Sequence, residues 1–210
     1  TIVTFSGSVY GMNDVTHLGL YDIPMLSNIP NLVYLAPTTK EEYLAMLDWS
    51  IEQTEHPVAI KLPGGEMVSD GKQITKDFSV LNKYEMTQQG KKVAFIWLGT
   101  FYSLAVEAAA EFEKKTGVKP TVINPYYITG TDEQMLEELK KEHDVVVTIE
   151  DGILDGGFGE KIARFYGDSV VKVLNFGLKK EFPDRYNVDE ILKKNHLTKE
   201  LILTDIMNNL

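Results

Sequence analysis

Cysteine is absent from the 210 residues. That excludes disulfides, thiolate metal ligation and cysteine nucleophiles, and it suits a reducing, cytoplasmic setting. Clustered positive charge is also lacking. Acidic residues outnumber basic ones 31 to 21, the formal net charge is -10, and no basic run exceeds a pair such as Lys91-Lys92. No nucleic-acid partner is therefore expected. No apolar run approaches the length that crosses a bilayer, so no membrane partner is expected either. The N-terminus carries no charged leader. It begins abruptly with TIVTF, which reads as a strand, as expected for a chain cut from within a larger protein.

What is present is ordinary for a globular chain: 43% hydrophobic and 25% charged residues. A chain of this length buries roughly 70% of its unfolded surface, ample for a core. The length fits one complete domain plus a fragment.

Along the chain, TIVTF and NLVYLAP read as strands, the second ended by Pro37. Thr39 with Glu42 forms a capping-box pattern, and Leu44, Leu47 and Ile51 recur at helical spacing. PVAIKLP is a third strand. Residues 64–92 lose regularity and read as a linker with one short hairpin. A clean alternation follows. VAFIWLG is a buried strand, and a helix places Leu104, Ala108 and Phe112 on one face and ends at Gly117. TVINP is a strand, and Thr131 with Gln134 caps a helix carrying Met135, Leu136 and Leu139. VVVTIE, GFGEKIARFYG and VVKVLNFG read as strand, helix and strand, and two helices near 188–195 and 198–209 close the chain. β-Branched runs separated by amphipathic helices imply a mostly parallel sheet covered on both faces, an α/β fold.

Candidate sites are few. GGFGEK opens a helix after a strand, but its spacing is not that of a dinucleotide loop, and Glu150, Asp151, Asp155 and Glu160 would repel a phosphate. Its glycines read as a tight turn with close helix-to-sheet packing. Glu150 and Asp151 read as solvated carboxylates ahead of a helix N-terminus. His56, His143 and His196 read as surface or helix-end histidines without metal-ligand spacing. His17 differs, since it follows a strand in the glycine-bearing stretch GMNDVTHLGLYDIP, beside the hydrogen-bonding groups of Asn13, Asp14 and Thr16. An imidazole there suits proton exchange with a substrate oxygen; on composition alone, His17 reads as a turn histidine.

The stretches VTHLGLYDIPMLSNIPNLVYLAPTTKEEYLAML, PVAIKLPGG, VINPYYIT and VVVTIEDGILDGGFGEKI resemble, in this order, the C-terminal third of the 1-deoxy-D-xylulose-5-phosphate synthase family, thiamine diphosphate enzymes of the transketolase superfamily. The resemblance implies three parts: residues 1–65 as the tail of a pyrimidine-binding α/β domain, residues 66–90 as a linker, and residues 91–210 as a three-layer transketolase C-terminal-like domain. It implies thiamine diphosphate and magnesium in the full-length enzyme. The family's diphosphate-binding motif and cofactor-activating glutamate lie outside this chain, so no cofactor or metal is expected on the fragment, and no activity from it.

In that family pyruvate condenses with glyceraldehyde 3-phosphate with loss of carbon dioxide, serving isoprenoid and thiamine synthesis, and the enzyme is a homodimer. His17 matches the active-site histidine. Asn13, Asp14 and Thr16 fall at substrate-facing positions. Ser6 and Lys61 replace arginines expected on the acceptor phosphate, Gly64 replaces another, and Tyr126 and Thr129 replace two further cations. Lysine keeps the charge of Lys61 but not the forked grip of arginine. A weakened phosphate grip, or a different aldehyde acceptor, follows. Two other readings remain at this point: a transketolase or 2-oxo acid dehydrogenase β-type subunit, whose C-terminal domains share the G-G-F-G run, and a non-catalytic dimerisation module.

Overall fold

The computed structural model describes residues 2–4, 8–64 and 67–210, with side chains from residue 8 onward. Two sheets organise it. The first is three-stranded and parallel, in the order β1 (Ile2–Thr4), β3 (Val58–Lys61), β2 (Val33–Leu35). The second runs β4 (Glu85–Gln88), β6 (Thr121–Asn124), β5 (Lys92–Trp97), β7 (His143–Ile153), β8 (Lys172–Leu178). It is parallel except for β4, which pairs antiparallel with β6. The stretch read as a linker with a hairpin thus contributes the edge strand of the second sheet. Helices α1 (Asp22–Leu26), α2 (Lys40–Glu52), α3 (Tyr102–Thr116), α4 (Glu133–Leu139), α5 (Phe158–Phe165), α6 (Val188–Lys194) and α7 (Lys199–Met207) complete the order.

Alternation along β5 sorts its side chains between the sheet's two faces. Val93, Phe95 and Trp97 pack with Ala105, Ala108 and Phe112 of α3 and Ile202 and Ile206 of α7. Ala94 and Ile96 face the other way, toward Leu136 of α4, Phe158 and Ile162 of α5, and Tyr34, Ala36 and Ala59 of the first sheet. The three-layer α/β architecture expected from the sequence is therefore present, and the first sheet shares a core with it. Helix α3 closes at Gly117, whose positive φ of 72° lets its N–H donate to Glu113 at 2.8 Å.

Several expectations give way. On α2 the exposed side chains include Leu44 and Ile51, while Glu42, Met46 and Ser50 are buried. The polar members are tolerated inside because they are bonded there: Ser50 Oγ donates to the Leu47 carbonyl at 2.8 Å and Glu42 accepts the Thr38 N–H at 2.6 Å. Helix α4 is capped by Asp132, not Thr131, through the Met135 N–H at 3.2 Å. His143 is buried, its Nδ1 2.9 Å from the Leu139 carbonyl and its Nε2 2.7 Å from Thr121 Oγ1. Both ring nitrogens are thereby engaged, and burial lowers its pKa.

Glu150 and Asp151 are the largest reversal, since both are fully buried. Glu150 accepts the N–H groups of Phe158 and Gly159, each at 2.7 Å, so its carboxylate caps α5 from beneath. Burial nevertheless pushes its pKa up to about 7. The GGFG turn follows from this: a Cβ on Gly157 would stand 2.4 Å from Glu150 Oε2, and one on Gly159 2.6 Å from Thr148 Oγ1. The glycines serve close packing, as their spacing implied.

Candidate functional site

The 3-10 turn bearing His17 buries none of its own side chains, and hydrogen bonds fix the loop around it between the buried Val9 and Leu20. Asn13 Nδ2 donates to the Tyr186 carbonyl at 2.9 Å, the Arg185 N–H donates to the Asn13 carbonyl at 2.6 Å, and the Val15 N–H reaches Asp184 Oδ1 at 3.1 Å. Tyr186 in turn donates its hydroxyl to the Val9 carbonyl at 2.9 Å. The loop is thus stitched to the segment that precedes α6.

Within it, Asp14 caps a single 3-10 turn over Val15–His17. Asp14 Oδ1 accepts the Thr16 N–H at 2.9 Å and the Thr16 hydroxyl at 2.5 Å. These bonds hold the Asp14 pKa below its usual value. Thr16 Oγ1 also lies 2.7 Å from His17 Nδ1. A threonine hydroxyl has one proton, and here Asp14 takes it, so His17 Nδ1–H is the donor to Thr16 in the neutral ring. That order leaves the Nε2 lone pair of an exposed imidazole free of this chain of bonds. Three of the residues singled out in the sequence therefore act as one unit, and Asn13 anchors the loop that carries them.

Lys61 lies elsewhere, at the end of β3. It is 4% exposed, its Nζ is 2.7 Å from Asp22 Oδ2, and the Tyr34 hydroxyl donates to the same oxygen at 2.6 Å. Asp151, fully buried, feels the Lys61 charge and accepts the Val9 N–H at 2.8 Å. One ammonium thus serves two carboxylates, Asp22 half-buried and Asp151 fully buried, and one oxygen of each, Asp22 Oδ1 and Asp151 Oδ2, has no hydrogen-bond partner. Ser6 falls outside the described residues. Gly64, at another position where arginine was expected, donates its N–H to Thr100 Oγ1 at 3.0 Å.

Each of the two further positions, Tyr126 and Thr129, has a lysine nearby that bonds to the protein itself. Lys76 Nζ lies 4.7 Å from the centre of the Tyr126 ring. Lys161 Nζ donates to the Ile128 carbonyl at 3.0 Å, next to Thr129. Sequence reading missed Asp22, Tyr34 and Asp151. Asp22 lay in plain view in LYDIP, but only the register of β3 against β2 brings Lys61 and Tyr34 to it. Among the described residues no group of three or more histidines or carboxylates is disposed to hold a metal.

A mostly parallel sheet between helix layers, extended by a second parallel sheet and a carboxylate-bound GGFG turn, defines a transketolase-type α/β protein. The chain belongs to the family described as "Transketolase, C-terminal domain", which matches residues 82–202. It is 33% identical over 199 residues to the 1-deoxy-D-xylulose-5-phosphate synthase of Clostridium tetani, covering 94% of this chain and 32% of that protein. The synthase of the same name from Caldanaerobacter subterraneus is 31% identical over 201 residues, covering 95% and 32%. The chain thus spans about a third of the length of these relatives. Among solved structures, a split-gene transketolase described as an inactive β4 tetramer superposes with a TM-score of 0.77 at 22% identity, covering 93% of this chain and 63% of that one. Transketolase from Campylobacter jejuni gives 0.71 at 17% identity, covering 98% and 30%. These two likenesses concern the fold.

Proposed function

We propose that this chain is the C-terminal part of a 1-deoxy-D-xylulose-5-phosphate synthase-type transferase, which joins pyruvate to an aldehyde with loss of carbon dioxide. The similarity to relatives of that name over nearly the whole chain supports the reading. The observation that carries it at the site is the bonded series His17, Thr16, Asp14 on a loop fixed by Asn13. In this reading His17 Nε2 holds or delivers the proton at the substrate's hydroxyl oxygen, and Thr16 and Asp14 fix its tautomer.

Thiamine diphosphate and magnesium are assigned to segments of the full-length protein beyond this chain, and the 210 residues alone are inactive. Calorimetry with thiamine diphosphate and magnesium tests this; saturable binding to the chain alone would refute it.

The acceptor is an aldehyde gripped weakly, or not at all, through phosphate. Lys61 is committed to Asp22, Ser6 has no charge, and Gly64 has no side chain to offer. Residues 1–65 act as the tail of the pyrimidine-binding domain, and residues 91–210, together with the edge strand β4, as the C-terminal domain of a cytoplasmic homodimer. No helix among the described residues is long and apolar enough to cross a membrane. Light scattering of the full-length protein tests the assembly, and a monomeric mass would refute it.

A further inference from the structure

The 3-10 turn that carries His17 has three N–H groups to satisfy. The His17 N–H donates to the Asp14 carbonyl at 2.9 Å and the Thr16 N–H to the Asp14 carboxylate at 2.9 Å, so Asp14 serves two of them from within the loop. The third, on Val15, donates to Asp184 Oδ1 at 3.1 Å. Among the described residues this is the one hydrogen bond that ties the turn itself to a distant part of the chain. Val15, Thr16 and His17 are all exposed, so burial does not hold the turn in place either.

Asp184 stands on a fixed footing. It lies in residues 179–187, between β8 and α6, which form neither helix nor strand. Both ends of this segment are fastened to α6. At one end the Lys179 N–H donates to Asn195 Oδ1 at 3.0 Å, and Glu181 pairs with Lys194 Nζ at 2.7 Å. At the other, Asn187 caps α6 through the Glu190 N–H at 3.1 Å. Pro183, next to Asp184, fixes its own φ. Arg185 has a positive φ of 47°, a conformation that a residue other than glycine keeps where its surroundings impose it. Its N–H donates to the Asn13 carbonyl at 2.6 Å.

The same segment grips the loop on either side of the turn. Ahead of it, the Tyr186 carbonyl accepts Asn13 Nδ2 and the Tyr186 hydroxyl donates to the Val9 carbonyl, each at 2.9 Å. Behind it, the Tyr21 hydroxyl donates to the Glu181 carbonyl, and the Tyr21 and Phe182 rings stand 5.0 Å apart. These contacts set where the loop lies, and Asp184 alone reaches the turn between them. Small misplacement of a reacting group costs much of a rate. We propose that Asp184 is a positioning residue for His17, its carboxylate oxygen pinning the turn and so aiming the imidazole. The inference rests on the reading of His17 as the proton-handling group. It gives the segment between β8 and α6 a part in a site carried on a loop of the first sheet.

The test is kcat and KM of the full-length protein in the condensation of pyruvate with an aldehyde. The parent is compared with Asp184→Ala, Asp184→Asn, His17→Ala and the double variant carrying both alanines. Asp184→Ala removes the acceptor and is expected to lower kcat about tenfold with KM within about threefold, since the aim of a proton-handling group is felt in the transition state. Asp184→Asn keeps a side-chain oxygen for the Val15 N–H and is expected to restore kcat to within about threefold of the parent. A residue that acts through His17 has nothing to act on once the imidazole is gone, so the double variant is expected within about threefold of His17→Ala. A merely structural role would slow the double variant about tenfold further. The proposal is overturned if Asp184→Ala leaves kcat within about threefold of the parent, if Asp184→Asn is as slow as Asp184→Ala, or if the two losses multiply in the double variant. A slow His17→Ala beside an unaltered Asp184→Ala would overturn this inference alone, whereas an unaltered His17→Ala would overturn the reading beneath it as well.

Discussion

Lys61 Nζ lies 2.7 Å from Asp22 Oδ2, and both residues are largely removed from solvent. Taking two charges out of water costs several kcal/mol each, and a close pair with added hydrogen bonds offsets that cost only while both partners remain. Tyr34 supplies such a bond, and Asp151 adds a second negative charge for Lys61 to serve. Asp22→Ala is accordingly expected to lower stability by about 3 kcal/mol in urea denaturation, since it removes the carboxylate bonded to a buried ammonium. A loss of less than about 1 kcal/mol, the range of surface pairs, would show that the pair is not the buried contact described.

The same ion pair bears on the acceptor. A lysine committed to Asp22 and Tyr34 has little left for a phosphate. In steady-state assays of the full-length protein, kcat/KM for a phosphorylated aldehyde should exceed that for its unphosphorylated counterpart by less than about tenfold, a difference of roughly 1.4 kcal/mol. A strong preference for the phosphorylated aldehyde would sink the acceptor proposal while leaving the fold assignment intact.

Buried carboxyls give the chain a distinctive pH dependence. Glu150 and Glu42 are each pushed by burial from 4.5 up to about 7. Between these values the unfolded chain has released protons that the folded chain retains, so the unfolded state binds fewer protons and stability falls as pH rises through the window. The slope is on the order of 1 kcal/mol per pH unit for each group. His143 opposes it below 6.5, since burial lowers its pKa and the unfolded state then binds the extra proton. Comparing Glu150→Gln with the parent isolates one group. Denaturation at pH 5, 6 and 7 should show a shallower decline for Glu150→Gln, and an equal decline would contradict the assignment.

Glycine substitutions should separate packing from backbone effects. Gly157→Ala places a Cβ against the Glu150 carboxylate and is expected to cost about 1 to 3 kcal/mol, as overpacking does. Gly117→Ala meets no atom within 4 Å but adopts φ 72°, for which about 1 kcal/mol is expected. Thermal melts of the two variants should rank Gly157→Ala as the less stable, and the reverse order would place the cost in the backbone of α3 instead.

Much of the fold was legible because its signals are local. β-Branched runs such as VAFIWLG and VVVTIE, the Thr39 cap and the terminal Gly117 each identify an element from a few neighbours. What was hidden depends on long-range pairing. Strand β4 reads as polar linker because it lies at a sheet edge with half its side chains exposed. Glu150 and Asp151 look like surface carboxylates because the partners that admit them to the interior, the N–H groups of α5 and of Val9, are backbone atoms that leave no mark in composition. At the candidate site the sequence indicates Asn13, Asp14, Thr16 and His17 as neighbours. It does not reveal that Thr16 relays between Asp14 and His17, nor that Lys61 turns inward to Asp22.

In the proposed function this chain supplies the proton-handling histidine of a decarboxylating condensation. Its most direct test is the rate of carbon-carbon bond formation from pyruvate and an aldehyde by the full-length protein, compared with the same protein carrying His17→Ala. kcat is expected to fall about 10²-fold or more, with the chain's melting temperature unchanged because His17 is exposed on its loop. Unaltered kcat in His17→Ala would contradict it.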